Sequence, residues 1–439
     1  MNYLYLLCIG SLFLIACKSQ SQTEVSKPNV VLIMADDLGY GGISCYGEPN
    51  IQTPHLDSLA AQGIKFTDFH ANAPVCTPTR AALLTGNYQQ RTGLEGVIYV
   101  RGETREVGLD TTQLTIAELM KENGYATGMM GKWHLGYKKE FNPVQHGFDE
   151  FYGYVSGNVD YHSHYDNAGI YDWWHNLDSI QEEGYVTDLI TEHSVDFINQ
   201  HKDEPFFLYV PHESPHVPFQ GRNDPAYRFP GEEFTYYGPV EGQHRAYKEM
   251  VEVMDEGIGK IMDALKVNQL EENTLVIFIS DNGGEAFGNN GVLNGQKGQL
   301  LEGGHRVPAI AYWKNNIHPE ESSETLMTMD LLPTILSIAH AQISKDIEFD
   351  GQDFSPVLFE GSEMPDRTLF WRYNGQKAAR KNQWKLLITE SDTSLYNLDQ
   401  DLKETRDLSA QHQDIMDDLL REVVDWEKEI GKNGEMKTL

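Results

Sequence analysis

Three uninterrupted apolar runs constrain the fold of this chain more than any other feature. They are Asn29-Val30-Val31-Leu32-Ile33-Met34, Pro205-Phe206-Phe207-Leu208-Tyr209-Val210 and Leu275-Val276-Ile277-Phe278-Ile279. A strand with one wet face alternates polar and apolar residues. A run that is apolar at nearly every position fits a strand buried on both faces of a parallel sheet. Tyr125-Ala126-Thr127-Gly128-Met129-Met130 is a weaker fourth run. Helical segments lie between them. Thr53-Pro54 opens one with a cap residue and a proline at the first position, and Gly63 closes it. Residues 112–123 form another, ended by Gly124, and 186–200 and 244–266 are longer and amphipathic. Strands alternating with helices predict an α/β fold, a large mixed, mostly parallel sheet sandwiched by helices. After about residue 340 the pattern changes. Leu369-Phe370-Trp371-Arg372-Tyr373, 378–389 and 394–398 predict a smaller C-terminal antiparallel sheet, and 411–430 a final helix. The expected division is an α/β domain over 28–340 and an α+β subdomain over 341–439.

The N-terminus reads as a targeting segment. Residues 4–15 are an apolar run too short to be a stable membrane span, and Leu14-Ile15-Ala16-Cys17 looks like a bacterial lipobox. The expectation is a signal peptide over 1–17, lipidation at Cys17 and a polar tether over 18–27. That makes an exported lipoprotein of the bacterial periplasm, outer membrane or cell surface, touching membrane only through its lipid. The n-region, Met1-Asn2-Tyr3, departs from that pattern in lacking a basic residue. After processing only Cys45 and Cys76 remain, so no disulfide framework is expected. The formal net charge is −32, which argues against nucleic acid as a partner. An anionic substrate would need a local cationic pocket.

Each main apolar run ends in a polar cluster: Asp36-Asp37, then His212-Glu213-Ser214-Pro215-His216, then Asp281-Asn282-Gly283-Gly284. In open α/β sheets, ligands sit beyond the carboxyl ends of strands. Adjacent carboxylates there need a positive partner or a proton. Asp36, Asp37, Asp281 and Asn282 offer hard oxygen ligands, which suit Ca²⁺ or Mg²⁺; Ca²⁺ is preferred for its tolerance of irregular protein shells.

The pentapeptide Cys76-Thr77-Pro78-Thr79-Arg80, followed by Ala81-Ala82-Leu83-Leu84-Thr85-Gly86, resembles the signature of type I sulfatases, members of the alkaline phosphatase superfamily. In that family the cysteine is oxidised to formylglycine (3-oxoalanine) by a maturation enzyme. Further motifs resemble the family's in order: residues 30–41, Gly131-Lys132-Trp133-His134-Leu135-Gly136, Ser214-Pro215-His216-Val217-Pro218, Ser280-Asp281-Asn282-Gly283-Gly284, and Lys297 within Gly295-Gln296-Lys297-Gly298. The resemblance runs from about residue 28 to 410. Thr79 stands where family members often carry serine.

The resemblance implies that Asp36, Asp37, Asp281, Asn282 and formylglycine at Cys76 bind one calcium ion. It implies that Arg80 orients the formylglycine hydroxyls, and that Lys132, His134, His216 and Lys297 complete a cationic sulfate pocket. One hydroxyl of the aldehyde hydrate would attack sulfur while His216, helped by Lys297, protonates the leaving oxygen. His134 would then take the proton of the second hydroxyl as sulfate departs. His212 competes with His216, whose flanking prolines favour it, and is kept as a supporting residue.

The expected substrate is a sulfated glycan or oligosaccharide. Residues 152–174 are crowded with Tyr, His, Trp and Asn, which suits carbohydrate rings, and His305 and Arg306 could reach a carboxylate or second sulfate, though Arg306 also reads as structural. Two alternatives stand beside this: a formylglycine-dependent phosphodiester or phosphonate hydrolase, and a catalytically inactive glycan-binding lipoprotein.

Overall fold

A computed structural model describes residues 27–233 and 238–431 of the chain. The apolar runs become central strands of one sheet. In chain order its strands are β1 Asn29–Ala35, β2 Ile64–His70, β3 Ala126–Lys132, β4 Glu150–Tyr154, β5 Trp174–His175, β6 Asp178–Ser179, β7 Phe206–Pro211, β8 Thr274–Ser280, β9 Arg306–Tyr312, β10 Glu320–Ser322 and β11 Leu326–Met327. The spatial order is β10-β2-β9-β8-β1-β7-β3-β4-β5-β6, with β11 also on β2. β1 runs parallel to both β7 and β8, and β3 to both β7 and β4, whereas β9 is antiparallel to β8 and β2. This is the mixed, mostly parallel sheet expected from the continuous runs.

Burial on both faces explains why β1 shows no alternation. Val30, Leu32 and Met34 face one core, shared with Phe69, Leu83 and Leu331, while Val31, Ile33 and Ala35 face the other, shared with Met254 and Ile258. The register also sets where the chain leaves each strand. Ala35 pairs with Ser280 and Met34 with Pro211, so the residues after β1, β7 and β8 emerge side by side. The Asp281 amide donates to the Ala35 carbonyl at 3.1 Å and the His212 amide to the Met34 carbonyl at 2.8 Å.

Helices fall close to their expected places, Pro54–Gln62, Val186–Gln200, Val240–Val267 and Gln413–Ile430. The helix expected over 112–123 is shorter, Ile116–Glu122. Thr115 and Glu118 form a capping box at its start, and the Asp110 carboxylate holds Thr112 in the preceding turn. Residues 378–389 contain not one strand but a hairpin. The second sheet is β12 Thr368–Tyr373, β13 Gln376–Lys381, β14 Trp384–Ile388 and β15 Thr393–Asn397, antiparallel in that order. Leu419, Val423 and Trp426 of the final helix pack on it, as do Met327 and Met329 beside the main sheet. The Trp371 indole donates to the Ala71 carbonyl at 2.9 Å, tying the two sheets together. Cys17 lies outside the described residues. Among the described residues no helix is long and apolar enough to cross a membrane.

Candidate active site

Beyond the carboxyl ends of β1 and β8 three buried carboxylates converge. Asp36 and Asp281 are fully buried and Asp37 nearly so. Asp37 takes a left-handed backbone, φ 62°, which turns the chain so that its side chain and that of Asp36 point into one site. Each carboxylate has a cation. Lys132 Nζ lies 2.5 Å from Asp36, Arg80 grips Asp281 through Nε at 3.1 Å and Nη2 at 2.7 Å, and Lys297 Nζ lies 2.7 Å from Asp37. Asn282 donates its amide to Asp37 at 2.7 Å, and His216 Nε2 stands 3.6 Å from the same carboxylate.

The two neighbouring aspartates respond in opposite ways. Burial first, and then the Asp281 charge, push the Asp36 carboxyl well above the usual carboxylate range despite Lys132. Burial also works to raise Asp37, but Lys297, His216 and the hydrogen bonds from Lys297 and Asn282 outweigh it and hold that carboxyl below the usual range. Two oxygens at the site, Oδ1 of Asp36 and Oδ1 of Asn282, are buried without a hydrogen-bond partner. Orphaned buried oxygens are costly unless something binds them. Carboxylates plus one amide oxygen form the hard donor set that suits calcium, so these residues fit such an ion.

Cys76 opens the helix Cys76–Thr85, all of whose residues are buried. The thiol is unpaired, burial pushes it above its ordinary range, and Lys132 and Lys297 pull the other way. Thr79 locks the turn into this helix. Its hydroxyl contacts the Ala73 amide at 3.1 Å and the Ala73 and Val75 carbonyls at 3.0 and 3.1 Å. A serine could make the same bonds, which explains why threonine is accommodated at that position. Thr77 donates to the His134 carbonyl at 3.1 Å, joining the helix to the loop after β3.

Cys76, Asp37, His134, His216 and Lys297 all line one cleft of about 640 Å³. His134 has φ 57°, its Nε2 donates to the Ile98 carbonyl at 2.9 Å, and its buried Nδ1 has no partner. His216 donates from Nδ1 to the Val217 carbonyl at 2.8 Å, which leaves Nε2 toward Asp37. Burial pulls both imidazoles well below the ordinary histidine range. Lys132 and Arg80 do not line the cleft. They lie fully buried beneath it, and Arg80 Nη1 also donates to the Lys132 carbonyl at 3.1 Å.

Several expected residues sit elsewhere. His212 is buried off the cleft with neither ring nitrogen bonded, and burial takes its pKa down to about 3. His305 and Arg306 do not reach the cleft either. Arg306 pairs with Asp68 at 3.0 Å and Glu302 at 3.2 Å, and His305 contacts His70 at 3.0 Å and Lys385 at 3.2 Å. His70, Glu302 and His305 could be mistaken for a second metal site, but Lys385 and Arg380 already supply the positive charge there. Of the aromatic stretch 152–174, Tyr154, Tyr161 and Trp173 are core, and it is Ser156, Asn158, Asp166 and Asn167 that face the cleft. Sequence reasoning missed Tyr99, Tyr137, Gln243, Glu285, Phe287 and Tyr373 on the cleft wall; they come from separate loops, the first turn of the helix Val240–Val267 and the end of β12, and carry no local motif.

The sulfatase family model matches residues 28–341. The chain is 32% identical over 386 residues to an arylsulfatase of Hemicentrotus pulcherrimus, covering 82% of this chain and 67% of that protein. It is 36% identical over 382 residues to arylsulfatase A of Bos taurus, covering 79% and 70% respectively. To N-acetylgalactosamine-6-sulfatase of Sus scrofa it is 33% identical over 389 residues, covering 82% and 71%. Its backbone superposes on the crystal structure of Ps i-CgsB in complex with k-i-k-neocarrahexaose with a TM-score of 0.84 at 32% identity, covering 94% of both chains. The shared fold, the identity across most of the length and the ordered polar clusters at the strand ends agree, and by them this chain belongs to the sulfatase family of the alkaline phosphatase superfamily and is a sulfuric ester hydrolase.

Proposed function

We propose that the enzyme removes sulfate from a sulfated carbohydrate, with residue 76 converted to formylglycine and one calcium ion held by Asp36, Asp37, Asp281, Asn282 and the modified residue 76. The observation that carries this reading is that Cys76 and Asp37 line one cleft while Asp36 and Asn282, each with a buried oxygen that lacks a partner, lie beside Asp37 off the cleft lining. When present, formylglycine hydrate supplies a hydroxyl nucleophile with a second hydroxyl for sulfate release, and calcium supplies Lewis-acid polarisation of a sulfate oxygen. Relatives named for N-acetylgalactosamine 6-sulfate and a structural neighbour solved with a neocarrahexaose support a sugar as the alcohol part.

The chain's own side chains divide the remaining work. Lys132 and Arg80 neutralise Asp36 and Asp281 from below and hold them in place. Lys297, whose proton Asp37 retains against burial, brings positive charge to the cleft surface. Lys297 holds the proton that the departing alcohol oxygen takes, since an alkoxide is a poor leaving group, and His216, neutral with its hydrogen on Nδ1, presents Nε2 as the acceptor that relays it. His134 carries its hydrogen on Nε2, so Nδ1 is an open acceptor, the form a general base requires. Lipidation at Cys17 and export to a bacterial envelope complete the proposal.

Peptide mass spectrometry of residue 76 after expression beside a formylglycine-generating enzyme tests the nucleophile. The expected result is the aldehyde or its hydrate, with nitrophenyl sulfate turned over faster than nitrophenyl phosphate mono- or diesters. Full activity with the thiol intact would overturn the nucleophile assignment; a preference for the diester would overturn the ester assignment.

A further inference from the structure

The charge of the cleft wall says more about the substrate than its sulfate does. Among the described residues lining the cleft, Lys297 is the one permanent cation, and it already lies 2.7 Å from Asp37 and 3.4 Å from Glu285. His134 and His216 belong to the seat of the transferred group. Away from that seat the carboxylic acids on the wall are Glu285, which is exposed, and Asp166, which is buried with Oδ1 accepting from the Ala168 and Ile170 amides. The guanidiniums nearby in the chain do not line the cleft and have partners outside it. Arg105 packs on the Tyr137 ring at 4.6 Å and donates to the Val100 carbonyl at 2.8 Å, and Arg101 pairs with Glu233. The rest of the wall is neutral. Asn158, Asn167 and Gln243 offer hydrogen bonds suited to hydroxyls, and the Tyr99 ring stands 61% exposed at the rim.

A second sulfate or a uronate on the substrate would thus lose its hydration against a wall whose one lysine, Lys297, is already paired with Asp37 and Glu285, in the field of a chain whose net charge is −32. A neutral sugar would keep its hydroxyls bonded and lay its apolar face on an aromatic ring. Resting on the sulfatase reading, we propose that this cleft selects a neutral sugar whose transferred sulfate is the only charge in reach, with the Tyr99 ring as its stacking platform, and that it discriminates against uronate-bearing and multiply sulfated units.

The test compares kcat/KM on three oligosaccharides of one neutral backbone: one carrying a single sulfate, one with a second sulfate on the adjoining ring, and one with a uronate there. Nitrophenyl sulfate is run alongside. At least a tenfold preference for the singly charged compound is expected. Glu285→Gln should narrow that ratio several-fold, and Tyr99→Ala should raise KM on the preferred sugar with a smaller change in kcat. If nitrophenyl sulfate is turned over but the ratio is near one or reversed, if Glu285→Gln leaves it unmoved, or if no sugar is hydrolysed, this inference is overturned alone. Inertness toward nitrophenyl sulfate and all three sugars overturns the sulfatase reading beneath it.

Discussion

Lys385 is the sharpest place to test how the second sheet is held against the main one. It lies fully buried on β14, with Nζ 2.9 Å from Glu302, 2.8 Å from Glu404 and 3.2 Å from His305 Nε2. Lys385→Met keeps most of the volume and removes the charge. Glu302 retains Arg306 at 3.2 Å and Arg380 at 3.7 Å, but Glu404 is left with the Glu302 amide at 2.7 Å and no cation beside it. Breaking a buried pair by deleting one partner costs about 3–5 kcal/mol. For a chain of this size that lowers the unfolding midpoint by about 4–6 °C. The pH dependence is the stricter part. Burial already pushes Glu404 above the ordinary range while Lys385 pulls it down, so removing Lys385 raises it further. A carboxyl whose folded pKa exceeds its unfolded value binds protons preferentially in the folded state, so the variant regains stability as pH falls. Thermal and urea unfolding at pH 7.5 and 5.5 should show a large loss at the higher pH and a smaller one at the lower. A loss below about 1 kcal/mol at pH 7.5 would refute the reasoning, because it falls short of the cost of an unpaired buried charge. So would a loss that does not shrink at pH 5.5.

Other substitutions probe the site directly. Gly283→Ala would put a Cβ 1.9 Å from the Gly303 carbonyl oxygen, displacing Asn282 beside it; a fall in kcat/KM of at least 100-fold is expected, and near-normal turnover would contradict the packing. Chelation should abolish activity and lower the melting temperature, with calcium restoring both in a concentration-dependent way. Calcium affinity, measured by titration calorimetry, should weaken from pH 7.5 to 5.5, because Asp36 is held above the ordinary range and takes a proton in competition with the ion; an unchanged affinity would count against that carboxylate as a ligand. Thr79→Ala loses the bonds to Ala73 and Val75 and should destabilise the fold by about 1–3 kcal/mol, read from urea unfolding, whereas Thr79→Ser should stay close to the parent.

What the chain discloses on reading and what it conceals separate along physical lines. The central strands are legible because burial on both faces leaves a run with no polar interruption, as in β1 and β8. β2 was not, since Ile64-Lys65-Phe66-Thr67-Asp68-Phe69-His70 carries polar residues, and those residues serve a partner remote in sequence: Asp68 and His70 meet Arg380 from the second sheet. The same remoteness misled the reading of His305 and Arg306. Their charges looked available to substrate until Lys385, Asp68 and Glu302 were seen to surround them. The strand-end clusters were readable because register alone, Ala35 opposite Ser280, brings them together. Their electrostatics were not. Asp36 and Asp37 are neighbours of one residue type, yet one is pushed toward protonation because burial and the Asp281 charge outweigh Lys132, and the other is held ionised because Lys297, His216 and Asn282 outweigh burial. A motif can place two carboxylates at a strand end; which of them keeps its charge depends on an amide and a cation 245 and 260 residues further along the chain, and that difference is set only when the sheet closes.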